Sequence, residues 1–193
     1  MSMSTTLQER LRSKGSRYEI VRHPYSHSSM ESAAAAHIPG DRLAKTVLLE
    51  DEHGYVAVVL PSTYAVQLSE LWNKTGRRLA LATEVELREL FKDCDAGALP
   101  PICAAYGMKT YLEQNLASQP DIYFEAGDHE ELVHMEADQF LALMDDAERG
   151  QWCATARSIE VEPGAHLHYA VRRDAQVGSC IQFVLAQQNK ETQ

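Results

Sequence analysis

An α+β domain with a strand-rich core is the fold the sequence predicts, and three observations predict it. Residues 43–49 and 55–60 are apolar runs of strand length joined through Asp51-Glu52-His53-Gly54. A second pair, residues 122–126 and 131–135, is joined through Gly127-Asp128, and helix-capping signals recur between and around the two pairs. The chain has 193 residues, 45% of them hydrophobic, enough to bury one substantial core. The expected organisation is one domain over residues 1–150 and a C-terminal extension over 151–193.

In chain order, residues 5–14 have helix-forming composition with Leu7 and Leu11 four apart, and Gly15 marks the stop. Tyr18-Glu19-Ile20-Val21 alternates like a strand and ends at His23-Pro24, because the residue before proline is pushed out of the helical region. Ser28 or Ser29 caps a second helix through the alanines at 33–36, which ends before Pro39-Gly40. The pair 43–49 and 55–61 reads as a hairpin of two central strands. Leu68, Leu71 and Trp72 predict a helix from Val66 to Thr75 that stops at Gly76, and Leu79-Ala80-Leu81 is a short strand. Thr83 and Glu86 have capping-box spacing at the head of a helix over 84–91.

Residues 92–108, with Gly97, Pro100, Pro101 and Gly107, form a long loop, and loops of that length in compact domains are often functional. A short strand over 110–112, the second hairpin, and a closing helix over 137–148 with Phe140, Leu141 and Met144 inward complete the domain. In the extension, residues 159–162 and 180–185 look strand-like, separated by Pro163-Gly164 and Arg172-Arg173; an added hairpin and a partner contact both fit.

The net charge of −10 argues against a protein that coats nucleic acid along its length, though not against one that touches the end of an RNA. Basic residues gather in 1–22 and acidic ones in 121–148, for which a solvated helix face is the simple account. No apolar run is long enough to span a bilayer and the N-terminus lacks the apolar segment of a signal peptide, so a cytoplasmic location is expected. Cys94, Cys103, Cys153 and Cys180 are widely spaced and are expected as free thiols. His166 and His168 fit neighbours on one strand face, with no third metal ligand in view.

Lys45 stands alone among core-forming residues. Burying an unpaired ammonium is costly, so its amine either snorkels to the surface or sits beside an anion. Cys103 has the best position for a nucleophile, and also the character of a small buried apolar side chain. His23 serves equally as a substrate contact or a strand-end cap, whereas a histidine placed like His129 is more often a turn residue than a catalyst. Neither a nucleophile elbow nor a Cys/His pair is present by motif.

The chain resembles the YbaK-like aminoacyl-tRNA deacylases, the family that includes the editing domain of bacterial prolyl-tRNA synthetases and its free-standing relatives. The resemblance runs from about Tyr18 to Asp146. It rests on His23-Pro24 before a Ser- and Ala-rich helix, on Ala44-Lys45-Thr46-Val47, on Gly97-x-x-x-Pro101, and on Glu125-Ala126-Gly127-Asp128-His129. It implies a mixed, largely antiparallel β-barrel-like sheet wrapped by helices, and hydrolysis of the ester joining a wrong amino acid to the terminal adenosine of tRNA.

By that resemblance Lys45 is the required cation. Gly97 and Ala98 offer backbone N–H groups to the oxyanion, and a ribose hydroxyl of the substrate helps to activate water. His23, Ser29, Thr46, Pro100, Pro101, Cys103 and His129 are the expected substrate-binding positions. No cofactor and no metal are expected. The 3′ end of an aminoacyl-tRNA is the expected partner, with alanyl-tRNA-Pro as the expected substrate and prolyl-tRNA synthetase as a second expected partner. The alternative is a silent binding module of the same fold that holds a nucleotide, a tRNA end or a synthetase.

Overall fold

In the computed structural model the described residues are 3–155 and the pair 184–185. Helix α1 (Thr5–Lys14) is capped at its start by Ser4, whose Oγ accepts from the Leu7 N–H at 3.2 Å, and stops at Gly15 as expected. Its Leu7 and Leu11 are buried against Phe124, Val133, Phe140 and Leu143. Strand β1 (Glu19–Arg22) follows, and α2 (Ser29–Ala35) is capped by Ser28. A single 3-10 turn, Gly40–Arg42, leads into β2 (Leu43–Asp51) and β3 (Gly54–Pro61), the expected hairpin, paired from Ala44↔Pro61 to Asp51↔Gly54. Both strands are buried on both faces: Val47, Leu49, Val58 and Leu60 pack with Trp152 on one side, Leu48 and Ala57 with Phe91 and Cys103 on the other. This explains their near-continuous apolar sequence.

Residues Tyr64–Gln67 form strand β4, and α3 (Leu68–Thr75) begins only at Leu68, not at Val66. Strand β5 (Ala80–Leu81) pairs with β2, and α4 (Glu84–Leu90) carries the capping box that Thr83 and Glu86 predict. Thr83→Ala removes the cap and is expected to lower stability by about 1 kcal/mol, read as a shift of the urea midpoint.

Residues 92–108 hold a 3-10 turn, Cys103–Tyr106, and lead to β6 (Lys109–Glu113). Then come β7 (Asp121–Glu125), β8 (Glu131–Glu136) and α5 (Ala137–Leu143). Helix α5 is shorter than the composition of 137–148 predicts, because β9 (Glu148–Gly150) leaves the helical path to pair in parallel with β6. Phe140 and Met144 are buried as expected, and Leu141 is only partly so.

The main sheet runs β1-β8-β7-β2-β3-β6-β9, with β5 on the flank of β2. Mixed pairing and a wrap of helices agree with the expected fold, but among the described residues the sheet stays open, with β1 and β9 as edges. The pairs β2·β3, β7·β8 and β1·β8 are antiparallel; β2·β7, β3·β6 and β6·β9 are parallel. A smaller sheet places β4 between β10 (Cys153–Thr155) and β11 (Val184–Leu185). Of the predicted strands in the extension, 159–162 lies outside the described residues, as do Pro163-Gly164, Arg172-Arg173, His166, His168 and Cys180; only Val184–Leu185 is described. Among the described residues no helix is long and apolar enough to cross a membrane.

Candidate functional site

Strands β2 and β7 are parallel and pair only through Leu43↔Tyr123 and Ala44↔Phe124. Immediately beyond those pairs β7 ends at Glu125, while β2 continues through Lys45, Thr46 and Val47 toward β5. The two chains therefore part at the carboxyl end of β7, the kind of place where open mixed sheets hold ligands. A cleft open to solvent occupies the gap, lined by Lys45, Thr46 and Val47 of β2, by Glu125 and His129, by His27, Ser28 and Ser29 at the head of α2, and by Gly97 and Leu99. Lys45 and the Gly97 loop, far apart in sequence, thus face one cavity.

The Lys45 Nζ donates to the Ser62 carbonyl at 3.1 Å. Burial lowers its pKa to about 8, with a smaller opposing effect from Cys153. The ammonium is thus less strongly held than the ordinary lysine value implies, yet remains the major form at pH 7.

Glu125 is the residue that sequence reasoning quoted in a motif and left without a role. It is 6% exposed. Its Oε1 accepts from the Ser32 Oγ at 2.7 Å, and its Oε2 has no partner. Burial pushes its pKa up to about 7; the Ser32 hydrogen bond opposes this, and the buried Asp128 carboxylate adds to it. The Thr46 Oγ1 is likewise buried without a partner. The signal available in the sequence was a carboxylate directly after the apolar run Ile122-Tyr123-Phe124, where the hairpin turns.

The walls of the cleft are tied to one another. The His129 Nε2 lies 2.9 Å from the Ala96 carbonyl, and the Asp95 N–H donates to the Gly127 carbonyl at 2.8 Å, so the β7–β8 turn and the Gly97 loop hold each other. His129 has φ +63, strained for a residue with a side chain, and Asp128 fixes the turn by accepting from the Glu130 and Glu131 N–H groups. Gly97 has φ +96, a conformation that favours glycine and lets the main chain approach the cavity closely. At the rim the Tyr25 ring lies 5.1 Å from His27 and 5.2 Å from His129.

Of the sequence-predicted positions, Lys45, Gly97, Ser29, Thr46 and His129 line the cleft. His23, Ala98, Pro100, Pro101 and Cys103 are buried outside its lining. The Ala98 N–H, expected to face an oxyanion, donates instead to the Asp95 carbonyl at 3.1 Å inside its own loop. His23 directs Nδ1 to the Pro24 carbonyl at 2.8 Å, and its buried Nε2 has no partner. Cys103 is fully buried beside Leu48, Ala57 and Met108, and burial pushes its thiol pKa far up. Among the described residues no cluster of three or more His, Cys, Asp or Glu side chains is placed to hold a metal.

The family model described as the aminoacyl-tRNA editing domain matches residues 23–143, which span every residue that lines the cleft. No curated protein matches. Among solved structures, a candidate trans-editing enzyme for prolyl tRNA synthetase superposes with a TM-score of 0.66 at 22% identity, covering 77% of this chain and 95% of its own. A protein described only as hypothetical gives a TM-score of 0.68 at 18% identity, covering 77% and 99%. A scaffold used for computational grafting of linear epitopes gives 0.67 at 20% identity, covering 78% and 97%. These likenesses establish the fold.

Proposed function

The chain belongs to the aminoacyl-tRNA editing domain family, and from that premise we propose that its cleft hydrolyses the ester between a wrongly attached small amino acid and the terminal ribose of a tRNA. Membership supports an editing role with aminoacyl-tRNA as substrate. The finer reading is alanine carried by tRNA-Pro, in the cytoplasm where charged tRNA is used. It is supported by the small aliphatic wall of Val47 and Leu99 and by a structure of the same fold described as a candidate trans-editing enzyme for prolyl tRNA synthetase. The observation that carries the proposal is the meeting of Lys45 and the Gly97 loop in one cavity.

Ester hydrolysis needs a positioned water, a stabilised oxyanion and a pose close to attack geometry. In this reading Lys45, itself largely buried, supplies positive potential to the cleft, and its burial strengthens its pull on a phosphate or carbonyl oxygen. The thiols of Cys94, Cys103 and Cys153 are all raised above the ordinary range by burial, which disfavours a thiolate nucleophile. Water is then the attacking group, with a ribose hydroxyl of the substrate helping to activate it. Editing by a second site of this kind is needed because a binding pocket discriminates poorly between small apolar side chains.

The test is release of free amino acid from a panel of mischarged tRNAs. Release of alanine from alanyl-tRNA-Pro above the uncatalysed rate is expected; no release from any member overturns the proposal. The pH profile adds a second check. Lys45 is cationic below its pKa of about 8 and neutral above it. The ratio of catalysed to spontaneous hydrolysis is therefore expected to fall as pH rises through 8, and a ratio that stays level across that range contradicts a role for the ammonium.

A further inference from the structure

Among the residues lining the cleft, Glu125 is the carboxylate that sits deep in the wall, one oxygen anchored and the other bare. We propose that Glu125, together with Thr46 of the same cleft lining, is the receptor for the free α-ammonium group of the aminoacyl ester, so that the site accepts α-amino esters and rejects their N-acylated counterparts. This rests on the deacylase reading above and names the part of the substrate it reads.

The geometry argues for a cationic ligand. The Ser32 Oγ holds Oε1 at 2.7 Å and is itself held by the Ser26 Oγ at 2.7 Å, so the carboxylate is oriented from behind by a chain of hydroxyls. Oε2 is left without a partner, and burial disfavours the ionised carboxyl until a cation joins it. The charged group acting on it is Asp128, of the same sign, which deepens the demand for a cation. An ammonium has three N–H donors and no acceptor, and Glu125 and Thr46, two residues of the same cavity lining, each carry a buried oxygen without a partner, Oε2 and Oγ1. An α-amino group, with a reference pKa of roughly 7.7–8.0, is mostly protonated at pH 7. Lys45 on the neighbouring strand repels that ammonium and favours the electron-rich end of the ester, so the cleft is polarised in the sense that orients the substrate. An N-acyl group removes the charge and places bulk where the carboxylate sits.

The probes are 3′-amino-3′-deoxyadenosine acylated with alanine through a hydrolysis-resistant amide, and the same compound N-acetylated on the alanine. Affinities of both for the full chain are measured by titration calorimetry at pH 7. In the wild type N-acetylation is expected to weaken binding about thirtyfold or more, the scale set by losing one partner of a buried charge pair. In Glu125→Gln, which keeps the shape of the side chain, the two compounds are expected to bind within about threefold of each other. Equal affinities in the wild type, a preference that survives in Glu125→Gln, or no binding of the free-amine compound each overturn the proposal. So does a Glu125→Gln variant that keeps the binding preference and loses only turnover, the signature of a general base. The folded state of the variant is checked by near-UV circular dichroism, and Ser32→Ala, which frees Oε1, gives a second variant expected to weaken the free-amine compound selectively. Because the readout is binding, it fails separately from the deacylase reading, which fails on absent amino acid release.

Discussion

Lys45→Met is expected to lower the single-turnover rate of deacylation by about a hundredfold or more, the scale seen when one transition-state-stabilising donor is removed. Methionine keeps most of the aliphatic volume in the wall of the cleft and removes the charge. The loss is therefore expected in the rate of the chemical step, with the thermal midpoint held or raised, since the folded protein depresses the pKa of Lys45 and so disfavours its charged form. Single-turnover release of labelled amino acid, followed beside thermal unfolding, separates the two. An unchanged rate removes Lys45 from the reaction.

Phe124→Ala is expected to cost about 3–5 kcal/mol, a large part of the 5–15 kcal/mol typical of a domain. Phe124 is fully buried, packs against Phe140 with ring centroids 5.8 Å apart, and shares a cluster with Leu7, Leu11 and Val133. It is also the last residue of β7 paired with β2 before the strands part, and the neighbour of Glu125. Urea unfolding should show the midpoint fall, and deacylation should fall with it as the end of β7 that carries Glu125 loses its anchor in the core. A variant as stable as the wild type would mean that α1 and α5 are not held through this ring.

What was legible in the sequence was local. The β2–β3 hairpin announced itself in two apolar runs around a polar turn, α4 in its capping box, and α1 in its two leucines and terminal Gly15. What was not legible depends on partners distant in the chain. Tyr64–Gln67 is a strand because Cys153–Thr155 and Val184–Leu185 pair with it, and nothing in the four residues says so. Glu148–Gly150 has helical composition next to α5 and is drawn off by β6.

The same division holds at the site. Lys45 stood out as a cation among apolar residues, and Gly97 as a bend in an unpatterned loop. Their convergence depends on β2 and β7 separating after two pairs, a property of register that no single segment carries. Glu125 ends a strand like many surface carboxylates, and only the fold buries it under α2.

The structure of the chain with the alanyl amide of 3′-amino-3′-deoxyadenosine tests the central claim most directly. The compound is expected in the gap between β2 and β7, its acyl carbonyl facing Lys45 and the Gly97 loop and its ribose toward the His27 and His129 rim. A compound bound at any other surface, with that gap empty, would contradict it.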